Sequence, residues 1–113
     1  MSGVRFREHL LVESQGPWTG PGCARFVSDA TALARAGGST RLVLVQDGVL
    51  AAVPNALAAV DGLLDAGGEL WVDDFSWRQR ALAGVVVRSG GRLAGMDEVA
   101  ERVLDPAVQV VWH

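Results

Sequence analysis

The sequence contains no lysine, and its 10 basic residues are all arginine. A Schiff base to a carbonyl substrate and the lysine of a P-loop are therefore both excluded. A single cysteine, Cys23, leaves no partner for an internal disulfide and too few thiols for a Cys-rich zinc site. Histidine is nearly as scarce, with His9 ahead of an apolar run and His113 at the last position. Positive charge is also in deficit: 10 bases against 13 acids give a formal net charge of -3, with no basic stripe along the chain. A nucleic-acid backbone needs such a stripe, so nucleic acid is not an expected partner. No apolar run approaches the roughly 18 residues of a membrane helix, and the opening Met1-Ser-Gly-Val-Arg-Phe-Arg7 has no apolar signal core. The expectation is a cytoplasmic protein of a reducing compartment with no membrane partner.

What is present is a globular composition: 113 residues, 50% apolar and 20% charged, with 14 glycines. That length supports one domain around one core, over residues 1–113, with residues 1–6 expected as a loose extension. Leu10-Leu-Val12 reads as a short strand stopped by the turn cluster Ser14-Gln-Gly-Pro17. From Cys23, the residues Phe26, Val27, Ala30, Leu33 and Ala34 recur at helical spacing, and Gly37-Gly38 closes the helix. Leu42-Val-Leu-Val45 suits a central strand covered on both faces and ended by Asp47-Gly48. A second helical stripe runs from Ala56 to Leu64, followed by the strand Glu69-Leu-Trp-Val72 and a short helix over Phe75 to Leu82.

The run Val85-Val-Val87 fits a helix end, a strand or a turn, and Leu93-Ala94 fits another short strand. Met96 to Leu104 forms a last amphipathic helix, and Val108-Gln-Val-Val-Trp112 a last strand. Alternating strands and helices with short connections predict a three-layer α/β/α domain with a mainly parallel sheet of about five strands.

Ligands of an open parallel sheet bind beyond the carboxyl ends of its strands. Three such ends can be read: the loop from Glu13 through Gly16 and Trp18 to Gly20, the turn Asp47-Gly48-Val49, and the segment Asp73-Asp74-Phe75-Ser76-Trp77. The first loop feeds a helix N-terminus that would suit an anion or be an ordinary helix entry. Cys23 lies in the first turn of that helix, where the dipole would lower its pKa and suit a persulfide carrier or redox sensor. The preferred reading is a small buried apolar residue, since no His or Lys lies nearby in sequence and only Arg25 offers a positive charge.

Asp73 could act as a general base, or bind magnesium with Asp47 and Glu13, or simply cap the next helix, with Asp74 solvated and Ser76 sharing the cap. Arg78 and Arg80 would offset these acids. Trp18 and Trp77 are expected on the functional edge as interface anchors, Trp71 in the core, and Trp112 as core or edge cover. His9 reads as a structural histidine and His113 as a solvated terminal residue. Ser14 lacks the GxSxG elbow of a serine hydrolase.

The ordered set Leu10-Leu-Val12 with Gly16-Pro-Trp-Thr-Gly20, Leu42-Val-Leu-Val-Gln-Asp-Gly-Val49, Glu69-Leu-Trp-Val72 with Arg78-Gln-Arg80, Gly95-Met-Asp-Glu-Val99 and Val108-Gln-Val-Val-Trp112 resembles the DsrE/DsrF/DsrH-like family, which includes the TusB, TusC and TusD sulfur-relay proteins. The resemblance implies a small, mainly parallel α/β domain that assembles as a homo-oligomer (dimer, trimer or hexamer), with another sulfur-relay protein as a possible partner and no cofactor. It also implies a persulfide-carrying cysteine just after the third strand. Here that position is Asp73 or Asp74, and a carboxylate cannot accept sulfane sulfur. The resemblance thus points to a non-catalytic binding or assembly subunit, with Gly16, Trp18, Asp47, Gly48, Asp74, Ser76, Trp77 and Arg78 around a cleft or interface. The alternatives are sulfur transfer or redox chemistry through Cys23 and a carboxylate enzyme based on Asp73.

Overall fold

The computed structural model describes residues 6–113. The expected loose extension over residues 1–6 falls, but for the exposed Phe6, outside the described residues.

The apolar runs read above become five strands, β1 (Glu8–Glu13), β2 (Ser39–Leu44), β3 (Glu69–Asp73), β4 (Gly91–Ala94) and β5 (Val108–Trp112). They form one sheet in the order β4-β3-β2-β1-β5. All four pairings are parallel, so the sheet is wholly rather than mainly parallel. Four helices connect them: α1 (Gly22–Arg35), α2 (Ala59–Asp65), α3 (Asp74–Gln79) and α4 (Met96–Leu104). The chain steps from β1 outward to β4, then crosses the whole sheet through α4 to reach β5 beside β1. Because crossovers are right-handed, this reversal puts α4 on the face opposite α1, α2 and α3.

Strand alternation divides the core accordingly. Leu11, Leu42, Leu44, Leu70 and Val72 pack with Phe26 and Val27 of α1, Val60 and Leu63 of α2, and Trp77 of α3. Leu10, Val12, Val43, Val45 and Trp71 pack on the other face with Val99 of α4. Each fully buried aliphatic side chain contributes roughly 1.5–3 kcal/mol, and α4 supplies far fewer than α1. Trp71 is core, as expected, and its ring lies between the guanidinium groups of Arg41 at 4.1 Å and Arg92 at 4.4 Å.

Gly37, at φ 91°, ends α1 in the left-handed region, its N–H donating to Ala34 O at 3.1 Å. The segment after β2 departs from the sequence reading: Asp47 and Gly48 do end the strand, but they lie inside a 3₁₀ helix over Gln46–Ala52. The second helix is shorter than the Ala56–Leu64 stripe, and α3 stops before Leu82 because Ala81 turns to φ 58°. Val85-Val-Val87 joins neither a helix nor a strand, and Val86 stands in solvent. No helix among the described residues is long and apolar enough to cross a membrane.

Candidate functional site

Five parallel strands bring five carboxyl ends to one rim, so Glu13, Val45, Asp73, Ala94 and Trp112 lie along it. The rim has a topological switch point. The chain leaves β3 for α3 on one face, and leaves the adjacent β4 for α4 on the other. Connections that diverge from neighbouring strands leave a crevice between them, and that is where ligands of open α/β sheets bind. Here the crevice is a cleft of about 390 Å³ between Asp73, Phe75, Ser76, Met96, Val99 and Trp112. Val45, Gln46 and Gln79 complete its lining.

The floor of the cleft is set by a short hydrogen-bond chain. Asp73 caps α3, with Oδ2 accepting from the Ser76 N–H at 3.1 Å and from the Ser76 hydroxyl. Ser76 Oγ in turn accepts from the Gln46 N–H at 2.8 Å, which holds Gln46 at φ 50°. This is the capping role anticipated for Asp73, with Ser76 as its second member. Oδ1 of the same carboxylate is buried and has no hydrogen-bond partner. Asp73 is only 2% exposed. Such an oxygen is costly to leave unpaired, and buried polar atoms of this kind are few in folded proteins.

The other anticipated residues sort clearly. Asp74 is half-buried and pairs with Arg78 at 3.0 Å along α3, and Asp47 pairs with Arg80 at 2.8 Å, so both arginines do offset the acids. Gly16 is buried against Asp47, and Gly48 is buried against Glu13. Trp18 is 70% exposed at the rim, as an interface residue would be. Trp77 is not an edge anchor: it is 1% exposed, because it lies one residue past Ser76 on the inner side of α3 and fills the core beside α1 and α2. Glu13, Asp47 and Asp73 do not form a magnesium site. Alternation sends Glu13 and Asp73 to opposite faces, and among the described residues no cluster of three metal-ligating side chains occurs.

Of the two readings of the thiol, the small buried apolar residue holds and the activated thiolate is corrected. Cys23 is buried at 1% exposure, and burial first, then the charge of Glu13 and a hydrogen bond with it, pushes its pKa up to about 12 instead of down. The helix dipole is outweighed by desolvation and an adjacent carboxylate. The folded protein keeps this proton where the unfolded chain, near 9.0, has lost it. Stability from this group is therefore full below pH 9 and declines as pH rises towards 12. Urea midpoints measured across that alkaline range should fall more steeply for the wild type than for Cys23→Ala; parallel curves would contradict the assignment.

His113 is likewise not a solvated end. The parallel register sets it beside Glu13, with Nδ1 2.8 Å from the carboxylate, and its ring stacks on Phe26 at 5.1 Å. Glu13 is wholly buried, and its Oε2 also accepts from the Gln15 N–H at 3.2 Å. His9 is structural as expected, with Nδ1 2.8 Å from Gln109 Oε1, and Ser14 donates to His113 O at 2.7 Å. Phe75, Met96, Gln46 and Trp112 were not singled out as cleft residues by sequence reasoning, although the Gly95-Met96 helix entry was visible.

The backbone of YchN from E. coli, a solved structure, superposes on this one with a TM-score of 0.84, covering 96% of this chain and 100% of that one at 15% identity. The fold is YchN-like. At this identity the likeness is one of fold, and it bears out the single α/β domain with a parallel sheet flanked by helices. No family model matches the chain, and no curated protein matches its sequence.

Proposed function

We propose that this protein is a non-catalytic binding subunit of the DsrE-like kind, which assembles with copies of itself and takes a ligand into the switch-point cleft without forming a covalent bond. The observation that carries this reading is Asp73 at the end of β3: a buried carboxylate that lines the cleft, fixed by Ser76, with one oxygen that no donor of the described residues reaches. A carboxylate fixed in this way can accept a hydrogen bond or hold a charge, but its hard oxygens are poor nucleophiles towards sulfane sulfur and form no stable bond to it. The buried, proton-retaining Cys23 speaks against the alternative of sulfur transfer through the remaining thiol. Self-assembly is supported by exposed apolar side chains, Trp18 and Leu104 among them, that a partner copy would cover.

Incubation with a low-molecular-weight persulfide donor, followed by intact-mass measurement, tests the first part. The expected result is no added sulfur on the folded wild type and rapid thiol labelling only after unfolding; a stoichiometric sulfur adduct lost in Cys23→Ala would overturn the reading. Light scattering at micromolar concentration should give a mass above that of one chain.

A further inference from the structure

We infer that the switch-point cleft accepts a primary ammonium group carried on a compact apolar or aromatic body, with Asp73 Oδ1 taking the ammonium's hydrogen bond. The inference rests on the non-covalent reading above and adds the ligand's chemistry. Three observations support it. The unpartnered oxygen is itself closed to solvent and belongs to a side chain that is 2% exposed and lines the cleft, and no donor of the described residues reaches it. Among the described residues no arginine or histidine lines the cleft: Arg78 is engaged with Asp74, and Arg80 with Asp47 and the Ser76 carbonyl. Asp73 is thus the one ionisable side chain lining the space among the described residues, and an anionic ligand finds no positively charged partner among them.

The walls agree with a cation. Phe75 and Trp112 offer aromatic rings and Met96 a polarizable thioether, groups that attract an organic cation while covering its apolar part. The volume of about 390 Å³ suits a small molecule and lies near the lower end of ligand cavities. Gln46 and Gln79 are the remaining polar residues of the lining besides Ser76. Ser76 also matters, because by binding Oδ2 it leaves Oδ1 as the sole accepting oxygen without a donor.

The probe is benzylammonium, titrated into isotope-labelled full-length protein and followed through the backbone amides of Gln46, Ser76 and Gln79. Saturable shifts at these amides are expected, with a Kd of about 1 mM or tighter. Benzyl alcohol and phenylacetate, which match the body but lack the positive charge, should bind at least about tenfold more weakly. Asp73→Asn keeps an acceptor for the Ser76 N–H and removes the charge, and should weaken benzylammonium by at least about tenfold.

Should that variant not fold, Met96→Lys serves instead. Met96 is 58% exposed, and a lysine there would place a competing ammonium at the cleft wall and lower the probe's affinity. The inference is overturned by phenylacetate binding as well as benzylammonium, by unchanged affinity in the variants, or by no saturable shift. The two failures are distinguishable: absence of ammonium binding without persulfide uptake removes only the ligand class, whereas persulfide uptake removes the underlying reading.

Discussion

Trp77→Ala is expected to lower stability by about 3–5 kcal/mol, most of the margin of an ordinary small domain. The indole is the largest fully buried side chain and lies in the core with Leu44, Val49 and Val72. A six-residue helix such as α3 cannot be stable by itself, so this one ring is its main attachment to the sheet. Its removal leaves a cavity that the surrounding strand residues cannot fill. The measurement is a urea titration followed by circular dichroism, with Trp18→Ala as the control. Trp18 is 70% exposed in the rim loop, and its loss should change the stability of the single subunit, measured at a concentration low enough to dissociate the assembly, by no more than about 0.5 kcal/mol. Equal costs for the two substitutions would show that the burial assigned to Trp77 is wrong. Because Ser76 precedes Trp77, loosening α3 should also release the Ser76 bonds to Asp73 and Gln46 and open the cleft.

Gly48→Ala is expected to cost about 3 kcal/mol or more, a large effect for the addition of one methyl group. A β-carbon at this position would lie 2.2 Å from the Glu13 carbonyl oxygen and 2.9 Å from its carbon. Both atoms are backbone, and the same oxygen accepts from the Val45 N–H at 2.9 Å, so it cannot move aside without breaking the joint between β1 and the 3₁₀ helix. Gly16 is the comparison. Its β-carbon would be 3.4 Å from Asp47 O, ordinary contact, and Gly16→Ala should cost less than about 1 kcal/mol. Thermal melting of the two variants separates them, and a Gly48→Ala protein melting with the wild type would refute the close approach. The requirement is for the absence of a side chain rather than for an unusual φ, since Gly48 is not among the positive-φ glycines.

These two sites differ in how far the sequence disclosed them. Gly48 was visible as the end of an apolar strand, but its role depends on Glu13, which is 35 positions earlier in the chain and is brought there by the pairing of β1 with β2. Trp77 was placed at the edge because local pattern gives a helix start without saying which way a short helix faces. The same limit applies to Cys23. Its position in the first turn of a helix was legible, and from that alone a lowered pKa follows. The opposite shift comes from burial between α1 and the sheet and from Glu13 at the end of β1.

The sequence by itself determined the alternation of strands and helices, the final helix Met96–Leu104 and strand Val108–Trp112 to the residue, the cap formed by Asp73, and the lack of a thiol after β3. These follow from local periodicity, turn chemistry and composition, which act over a few neighbouring residues. Only the tertiary structure decided that His113 stands beside Glu13, that Trp112 and Met96 wall the same cleft as Asp73, and that one carboxylate oxygen there has no partner. The reason is the single long crossover through α4, which carries the chain from one edge of the sheet to the other and sets the register of β5 against β1. Contacts made by that step join residues up to 100 positions apart, a separation no local pattern encodes.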